Sequence, residues 1–513
     1  MTAIAKDVCL PDWLVRCAES TPEHLAIHCG QVRWSFAELA RQADHLAGHL
    51  AAAGVGVQRR VALLATNGLA YVACVPALRR LGAVLVPLNT RLTAAELRWQ
   101  VEDVRADLLV SDTSLAELAC ELDLALPRAL LQTRSVADDT VDIMLLTSQG
   151  YPYPAETGNL QALIDLAATQ AIVYTSGTTG RPKGVVITYG MQWWNAVGSA
   201  LRLGHQPADH WLACLPLFHI GGLSILMRSV IYGISVRLLE KFDEHVVNQA
   251  IRYEGVTIIS LVAVMLERML AAAECIEGQA YPATLRCVLL GGGPAPRPLL
   301  ERCASLRIPL AQTYGLTESC SQAVTLAPSD AVRKAGSAGR PLLPVQLQIL
   351  QDDHPVGAGE IGTIYLKGPT ITPGYAERPA ATAEALHDGW FCTGDLGYLD
   401  ADGYLYVLDR RADLMISGGE NVYPAEIERV LLAHPAVAEA GVCAQADPRW
   451  GQVPLAFVRL HPTCAVAPGE LLAYARRFLA GYKVPHRIVS VSALPRTSSG
   501  KLLRRELLQL LTE

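Results

Sequence analysis

The segment Tyr174-Thr-Ser-Gly-Thr-Thr-Gly-Arg-Pro-Lys-Gly184 concentrates anion-binding chemistry within the 513-residue chain. Gly177, Gly180 and Gly184 let the backbone close on an anion. Thr175, Ser176, Thr178 and Thr179 add hydroxyl donors, and Lys183 adds positive charge. Any three of these residues make an ordinary turn between strands. Hydroxyls, glycines and a lysine together read as a loop that grips phosphate. It is not a Walker loop, because glycine follows Lys183 where that motif has Ser or Thr.

Four later groups add an aromatic ring, two carboxylates and two cations: Tyr314-Gly-Leu-Thr-Glu318, Thr393-Gly-Asp-Leu-Gly397, Arg410 and Pro495-Arg-Thr-Ser-Ser-Gly-Lys501. Read singly, Tyr314 is equally a core residue, Glu318 a solvated helix start, Asp395 a turn cap and Lys501 a surface lysine. In this order, and after this loop, they closely resemble the motifs of the adenylate-forming superfamily of acyl-CoA synthetases, peptide-synthetase adenylation domains and luciferases. The resemblance spans nearly the whole chain. It implies that the 174–184 loop, with Gly292, Gly293 and Pro294, belongs to the ATP and AMP site. It implies that Tyr314, beside Gly315, packs on adenine, that Thr317 touches the α-phosphate, that Glu318 binds magnesium and that Asp395 holds the ribose hydroxyls. Arg410 matches the arginine after an interdomain hinge, and Lys501 the C-terminal catalytic lysine. The family also implies a small domain that rotates, withdrawing Lys501 and presenting Ser417, Gly418, Gly419 and Glu420 to the tunnel for coenzyme A. Read alone, Ser-Gly-Gly fits a simple turn equally well. Many relatives carry Asp or Lys where this chain has Ala412, which leaves the pivot open.

The implied chemistry explains the residue types. A carboxylate is a poor electrophile and must first displace pyrophosphate from ATP, so two anions have to meet. Lys183, Lys501, Mg²⁺ on Glu318 and loop amides would supply the opposing charge in a water-excluded cleft. Positioning does most of this work. The thiol of coenzyme A then attacks the adenylate carbonyl, so no cysteine has to be a nucleophile.

Three further segments bear on the acid: 216–233 (Pro-Leu-Phe-His-Ile-Gly-Gly onward), 289–296 (Leu-Leu-Gly-Gly-Gly-Pro-Ala-Pro) and Glu318-Ser-Cys-Ser-Gln322. They resemble the ligases that join 2-succinylbenzoate to CoA in menaquinone biosynthesis, more closely than general fatty-acid ligases. That substrate needs apolar walls and one or two polar anchors. His219, Thr317 and Gln322 are candidate anchors, with Gly291 and its two following glycines flat against adenine or the ring. His219 also reads as a satisfied core histidine. Arg228, Trp193 and Trp194 stay outside the expected site, since they read equally as tryptophans buried at helical spacing and an arginine in a structural ion pair. An acid:CoA ligase for another aromatic or medium-chain acid, a free-standing adenylation enzyme, and a non-catalytic nucleotide-binding module are the competing readings. The presence of Lys183, Glu318, Asp395, Arg410 and Lys501 together argues against the last.

The elements that must position these groups follow from apolar patterning. Residues 61–65, 83–88 and 107–111 read as buried strands alternating with helices at 69–81 and 93–105, which predicts α/β layering with mostly parallel sheets. Short apolar runs at 171–175, 256–262 and 286–290 extend that pattern, two of them ending in glycine-bearing loops. Asp402-Gly403 turns a hairpin whose second arm is 404–408. We place a boundary there: a large body over 1–409 and a small α+β domain over 410–513. The latter has helices at 424–433 and 471–479 and strands at 437–442 and 455–460.

Composition excludes several classes. Net charge is −6, from 43 basic and 49 acidic residues spread along the chain, which gives nucleic acid no electrostatic footing. Thirteen cysteines without a CxxC pair suit buried, reduced thiols rather than zinc or redox sites. No secretory signal and no uninterrupted membrane span are expected, so the cytoplasm is the default location. The partners expected are small molecules, namely the acid, ATP with Mg²⁺, and CoA; a homo-oligomer is left open.

Overall fold

The computed structural model describes residues 8–137, 140–155, 160–175, 182–274, 281–293, 295, 297–409, 414–461, 464–495, 502 and 504–511. The chain divides into two compact units. Met1–Thr90, Val101–Val173 and Gly184–Leu408 form one; Arg91–Gln100, Tyr174–Lys183 and Asp409–Glu513 form the other.

The first unit is built on two largely parallel sheets. In the seven-stranded sheet Val84–Pro87, Arg60–Leu64, Leu108–Asp112 and Arg128–Ala137 run parallel, with Thr140–Thr147 turning back antiparallel at the edge. In the nine-stranded sheet Leu310–Tyr314, Cys287–Leu290, Ile258–Leu261, His210–Ala213, Ser235–Leu238 and Leu25–Cys29 are parallel neighbours in that order. Antiparallel strands close both of its edges. These inner strands are buried along almost every residue, as a sheet covered on both faces requires, and that is why they read as short unbroken apolar runs. Helices Leu69–Arg80 and Ala94–Asp103 lie where 69–81 and 93–105 were expected.

A third sheet was not anticipated. Gln346–Gln351, Gly362–Lys367, Trp390–Leu399 and Leu405–Asp409 form an antiparallel layer whose Gly362–Lys367 strand alternates buried and half-buried residues, one face on the core. The expected hairpin supplies its last strand. The Asp400 carboxylate accepts from the Asp402 and Tyr404 amides, and Gly403 takes the left-handed conformation (φ +76°).

The second unit holds a five-stranded mixed sheet. Its centre is a hairpin of Val437–Asp447 and Gly451–Leu460, longer than the strands expected at 437–442 and 455–460. The extension carries Gln445, Asp447 and Gln452, polar residues that hide a strand from apolar patterning, and the Asp447 carboxylate closes the turn on the Arg449 and Trp450 amides. Helix Pro468–Arg476 starts and stops three residues earlier than expected, because proline sets its first turn. Leu471, Ala475 and Leu479 still form its buried stripe.

Candidate active site

Three of the segments singled out above leave strands at the carboxyl edge of the nine-stranded sheet. Cys287–Leu290 runs into Gly291, Gly292 and Gly293; Leu310–Tyr314 ends on Tyr314; His210–Ala213 leads to His219. Ligands of open α/β sheets bind at that edge.

Tyr314 is buried, and its hydroxyl donates to Oδ2 of buried Asp395 at 2.6 Å. The tyrosine belongs to the nine-stranded sheet and the aspartate to strand Trp390–Leu399 of the antiparallel sheet. Asp395 is therefore a strand residue rather than a turn cap; its amide donates to Thr393 Oγ1, which in turn donates to the Ile364 carbonyl. Gly315 has a steric reason to be glycine: a Cβ there would sit 1.5 Å from the Ser321 carbonyl oxygen. Thr317 and Glu318 follow in the short helical turn Thr317–Ser319, closed by Cys320 and Ser321 in left-handed conformations (φ 57° and 87°). Such backbone persists where surrounding packing enforces it, often at ligand sites. Glu318 Oε1 accepts from the Tyr375 hydroxyl at 2.9 Å, and its carbonyl accepts from the Thr372 amide at 2.8 Å. Gly291 packs on Thr313, and Gly292 has φ +80°.

At the acid end His219 caps helix Ile220–Tyr232, its carbonyl accepting from the Gly222 and Leu223 amides and its half-buried ring lying edge-on to Phe218. Gly222, which sequence reasoning passed over, is needed because a Cβ would meet the Pro216 carbonyl oxygen at 2.2 Å. Gln322 is fully buried, and neither its amide oxygen nor its amide nitrogen has a hydrogen-bond partner. Next to it, Asn195 Nδ2 donates to the Gln322 carbonyl (2.7 Å), and Arg228 Nη2 donates to Asn195 Oδ1 (2.6 Å).

Arg228 belongs to helix Ile220–Tyr232. No carboxylate among the described residues pairs with it. It is buried and stacked on Trp211 at 5.4 Å, its Nε has no acceptor, and burial pulls its pKa below the ordinary value. The hidden signal was the spacing of Asn195 and Arg228 on two packed helices. The tryptophans do not both bury either: Trp193 stacks on Trp13, whereas Trp194 is exposed.

Thr175 ends strand Thr169–Thr175, and Lys183 opens strand Lys183–Thr188. Ser176, Gly177, Thr178, Thr179, Gly180, Pro294, Arg410, Ala412 and Lys501 lie outside the described residues. In the second unit Gly418 and Gly419 form a two-residue hairpin turn between Met415–Ser417 and Glu420–Val422, both with positive φ (57° and 86°). The turn alone accounts for both glycines, and a Cβ on Gly418 would strike Trp450 at 2.8 Å. Ser417 is buried, and buried Glu420 pairs with Arg91 at 2.8 Å.

Buried thiols were expected, and the described cysteines are mixed, several buried and Cys9, Cys120 and Cys464 exposed. Cys74, Cys214, Cys287 and Cys320 are buried, and burial pushes each thiol up to about 12. Among the described residues no group of three or more His, Cys, Asp or Glu is arranged to hold a metal ion. Glu318 nonetheless fits Mg²⁺, a hard cation commonly held by one or two carboxylates together with substrate phosphates.

Residues 14–376 match the AMP-binding enzyme family, and residues 426–501 match the AMP-binding enzyme C-terminal domain. The chain belongs to the AMP-binding enzyme family. Within it, the chain is 51% identical to 2-succinylbenzoate–CoA ligase of Geobacillus kaustophilus over 502 residues, 98% of each chain. It is 46% identical to the ligase of that name from Bacillus cereus over 504 residues, 98% of this chain and 99% of the other. Among solved structures, a double mutant of o-succinylbenzoate CoA synthetase from Bacillus subtilis bound to a product analogue superposes with TM-score 0.89, at 43% identity and 98% coverage of both chains. The same Bacillus subtilis enzyme with ATP and magnesium ion gives TM-score 0.73, at 42% identity, over 98% of this chain and 100% of that one.

Proposed function

We propose that this enzyme is an AMP-forming acid–thiol ligase that joins 2-succinylbenzoate to coenzyme A at the expense of ATP. The observation that carries the choice of acid is the buried Arg228 guanidinium, linked through Asn195 to the backbone carbonyl of Gln322, whose own side-chain amide is unpartnered. A dicarboxylic acid presents one carboxylate for activation and keeps another that must be neutralised. A buried cation lacking a carboxylate, one hydrogen-bonded residue away from a glutamine with an orphaned amide, suits that second group. Monocarboxylic aromatic or medium-chain acids would leave it uncompensated. His219 and Phe218 would wall the aromatic ring.

In the first half reaction a carboxylate oxygen of the acid attacks the α-phosphorus, a P–O bond forms, and the bond to pyrophosphate breaks. Thr317 would contact the α-phosphate, Lys183 and the 175–180 loop the outer phosphates, and Lys501 the oxygens of both reactants. Glu318 would hold Mg²⁺, which supplies charge neutralisation for the departing pyrophosphate. The Tyr314–Asp395 pair would fix the nucleoside, ring on adenine and carboxylate on the ribose hydroxyls. In the second half the thiol attacks the acyl carbonyl, AMP leaves and the thiol proton passes to solvent. A cleft of about 570 Å³ in the second unit, lined by Arg91, Arg476 and His486, offers the Arg476 guanidinium to the phosphate end of coenzyme A. The Gly418–Gly419 turn would flank its pantetheine arm.

The proposal includes a functional division at 409/410, with Arg410 beside the hinge, and a cytoplasmic location; no helix among the described residues is long and apolar enough to cross a membrane. Incubation with 2-succinylbenzoate, ATP, Mg²⁺ and CoA should yield the thioester, AMP and pyrophosphate by mass spectrometry. Thioester from benzoate or hexanoate in preference would overturn the assignment. Lys501→Ala should nearly abolish adenylate formation yet still convert supplied adenylate and CoA to thioester. Equal loss in both halves removes the lysine from its assigned role.

A further inference from the structure

Behind helix Ile220–Tyr232, within the first unit, lies a cavity of about 50 Å³. That is several times the ~10–15 Å³ a single water needs on this measure. Leu226 and Met227 of that helix wall one side, Val72 and Val75 of helix Leu69–Arg80 the other, and Trp13 and Arg79 also line it. Its surface is overwhelmingly apolar. Two lining residues nevertheless carry buried donors with no acceptor. Arg79 binds Asp12 (2.8 Å) and the Gln161 carbonyl (2.5 Å) through Nη1, which leaves Nη2 unpartnered; Trp13 Nε1 is likewise unpartnered. Each orphaned buried donor costs about 1–3 kcal/mol, which an occupant bearing an acceptor would relieve.

We propose that this cavity is a binding site for a small neutral molecule with an apolar body and one acceptor oxygen, a ketone or short ether, and that its occupancy is felt at the acid site. The class follows from the walls. The unpaired groups are donors, so the guest must accept. Arg79 already has Asp12, so a charged guest would be left uncompensated. The volume limits it to a few heavy atoms. Helix Ile220–Tyr232 provides the coupling: Met227 faces the cavity, Arg228 follows it in sequence, and His219 caps the same helix. Packed helices respond to such occupancy by shifting as units.

Acetone and isobutene are nearly isosteric, and only acetone has an acceptor oxygen, so they make a matched pair of probes. In the full-length enzyme labelled at the methionine methyls, the Met227 signal should shift saturably with acetone and respond less to isobutene. Val72→Ile and Val75→Ile, which fill the space by one methylene each, should remove the response. An unmoved Met227 signal, an equal response to both probes, or a shift that survives both filled variants overturns the site. The coupling rests on the acid-site reading above. If it holds, saturating acetone raises KM for the acid about fivefold, the low end of ordinary coupling, leaves KM for ATP unchanged, and does neither in Val72→Ile. A saturable Met227 shift with unaltered KM for the acid overturns the coupling alone, whereas failure to use 2-succinylbenzoate at all would strike the function and leave the cavity intact.

Discussion

In the proposed function Arg228 is the residue on which specificity would turn, and its two expected phenotypes point in opposite directions. Arg228→Met should raise KM for 2-succinylbenzoate about 10- to 100-fold, the worth of a charge-assisted hydrogen bond, with KM for ATP unchanged. The same change removes a buried cation that has no carboxylate, so the variant should melt at a higher temperature than the parent. Steady-state kinetics with calorimetry would separate this from a merely structural arginine, whose loss lowers the melting temperature and leaves KM for the acid unchanged. His210 makes a different prediction. Burial, with His28 and Arg33 nearby, lowers its pKa from 6.5 to about 4, while Nδ1 engages Ser235 Oγ at 2.6 Å. The unfolded chain takes up a proton on this residue at a higher pH than the folded chain. Its contribution is therefore complete above about pH 6.5 and is lost as pH falls through about 4, roughly 3 kcal/mol in total. Denaturant titrations at pH 7.5 and 4.5 should show this loss, and His210→Gln should reduce it.

At the level of elements, parallel strands and the loops after them were legible because burial on both faces writes short apolar runs into the sequence. The 169–175, 258–261 and 287–290 strands follow that rule, the first and last leading into glycine-bearing segments, whereas Leu310–Tyr314, half-buried at Gln312 and Thr313, writes no such run. The antiparallel sheet holding Asp395 was not legible: its strands alternate or carry polar residues, and Asp395 was visible only through its motif. Gly222 and Arg228 were hidden for another reason, since what defines them is contact with Pro216 and Asn195, which no local pattern records. The turn after Tyr314 shows how tightly an element can be specified. Gly315→Ala would place a methyl inside the Ser321 carbonyl, so the turn carrying Thr317 and Glu318 must move. Overpacking of this kind costs about 1–3 kcal/mol. ATP–pyrophosphate exchange should fall by at least about 100-fold, the cost of misplacing a positioned group by an ångström, while the protein stays folded by circular dichroism. Near-parent exchange would mean that the turn does not hold the nucleotide.

For the molecule as a whole, the change of texture near Asp400 is the local signal from which a boundary is expected. The grouping of Arg91–Gln100 and Tyr174–Lys183 with the C-terminal part has no such signal, because contacts between distant segments leave no trace in a local window. The buried cysteines carry a practical consequence. Cys74, Cys214, Cys287 and Cys320 sit within the first unit with thiols that ionise only far above neutrality, whereas Cys9, Cys120 and Cys464 are exposed. Alkylation by iodoacetamide at pH 8 should therefore mark the outer three within minutes and spare the inner four until the fold opens. Peptide-resolved labelling then becomes a clock: each silent thiol that acquires a carbamidomethyl group dates an excursion of the surrounding sheet, and bound adenylate should slow that clock without touching the outer three.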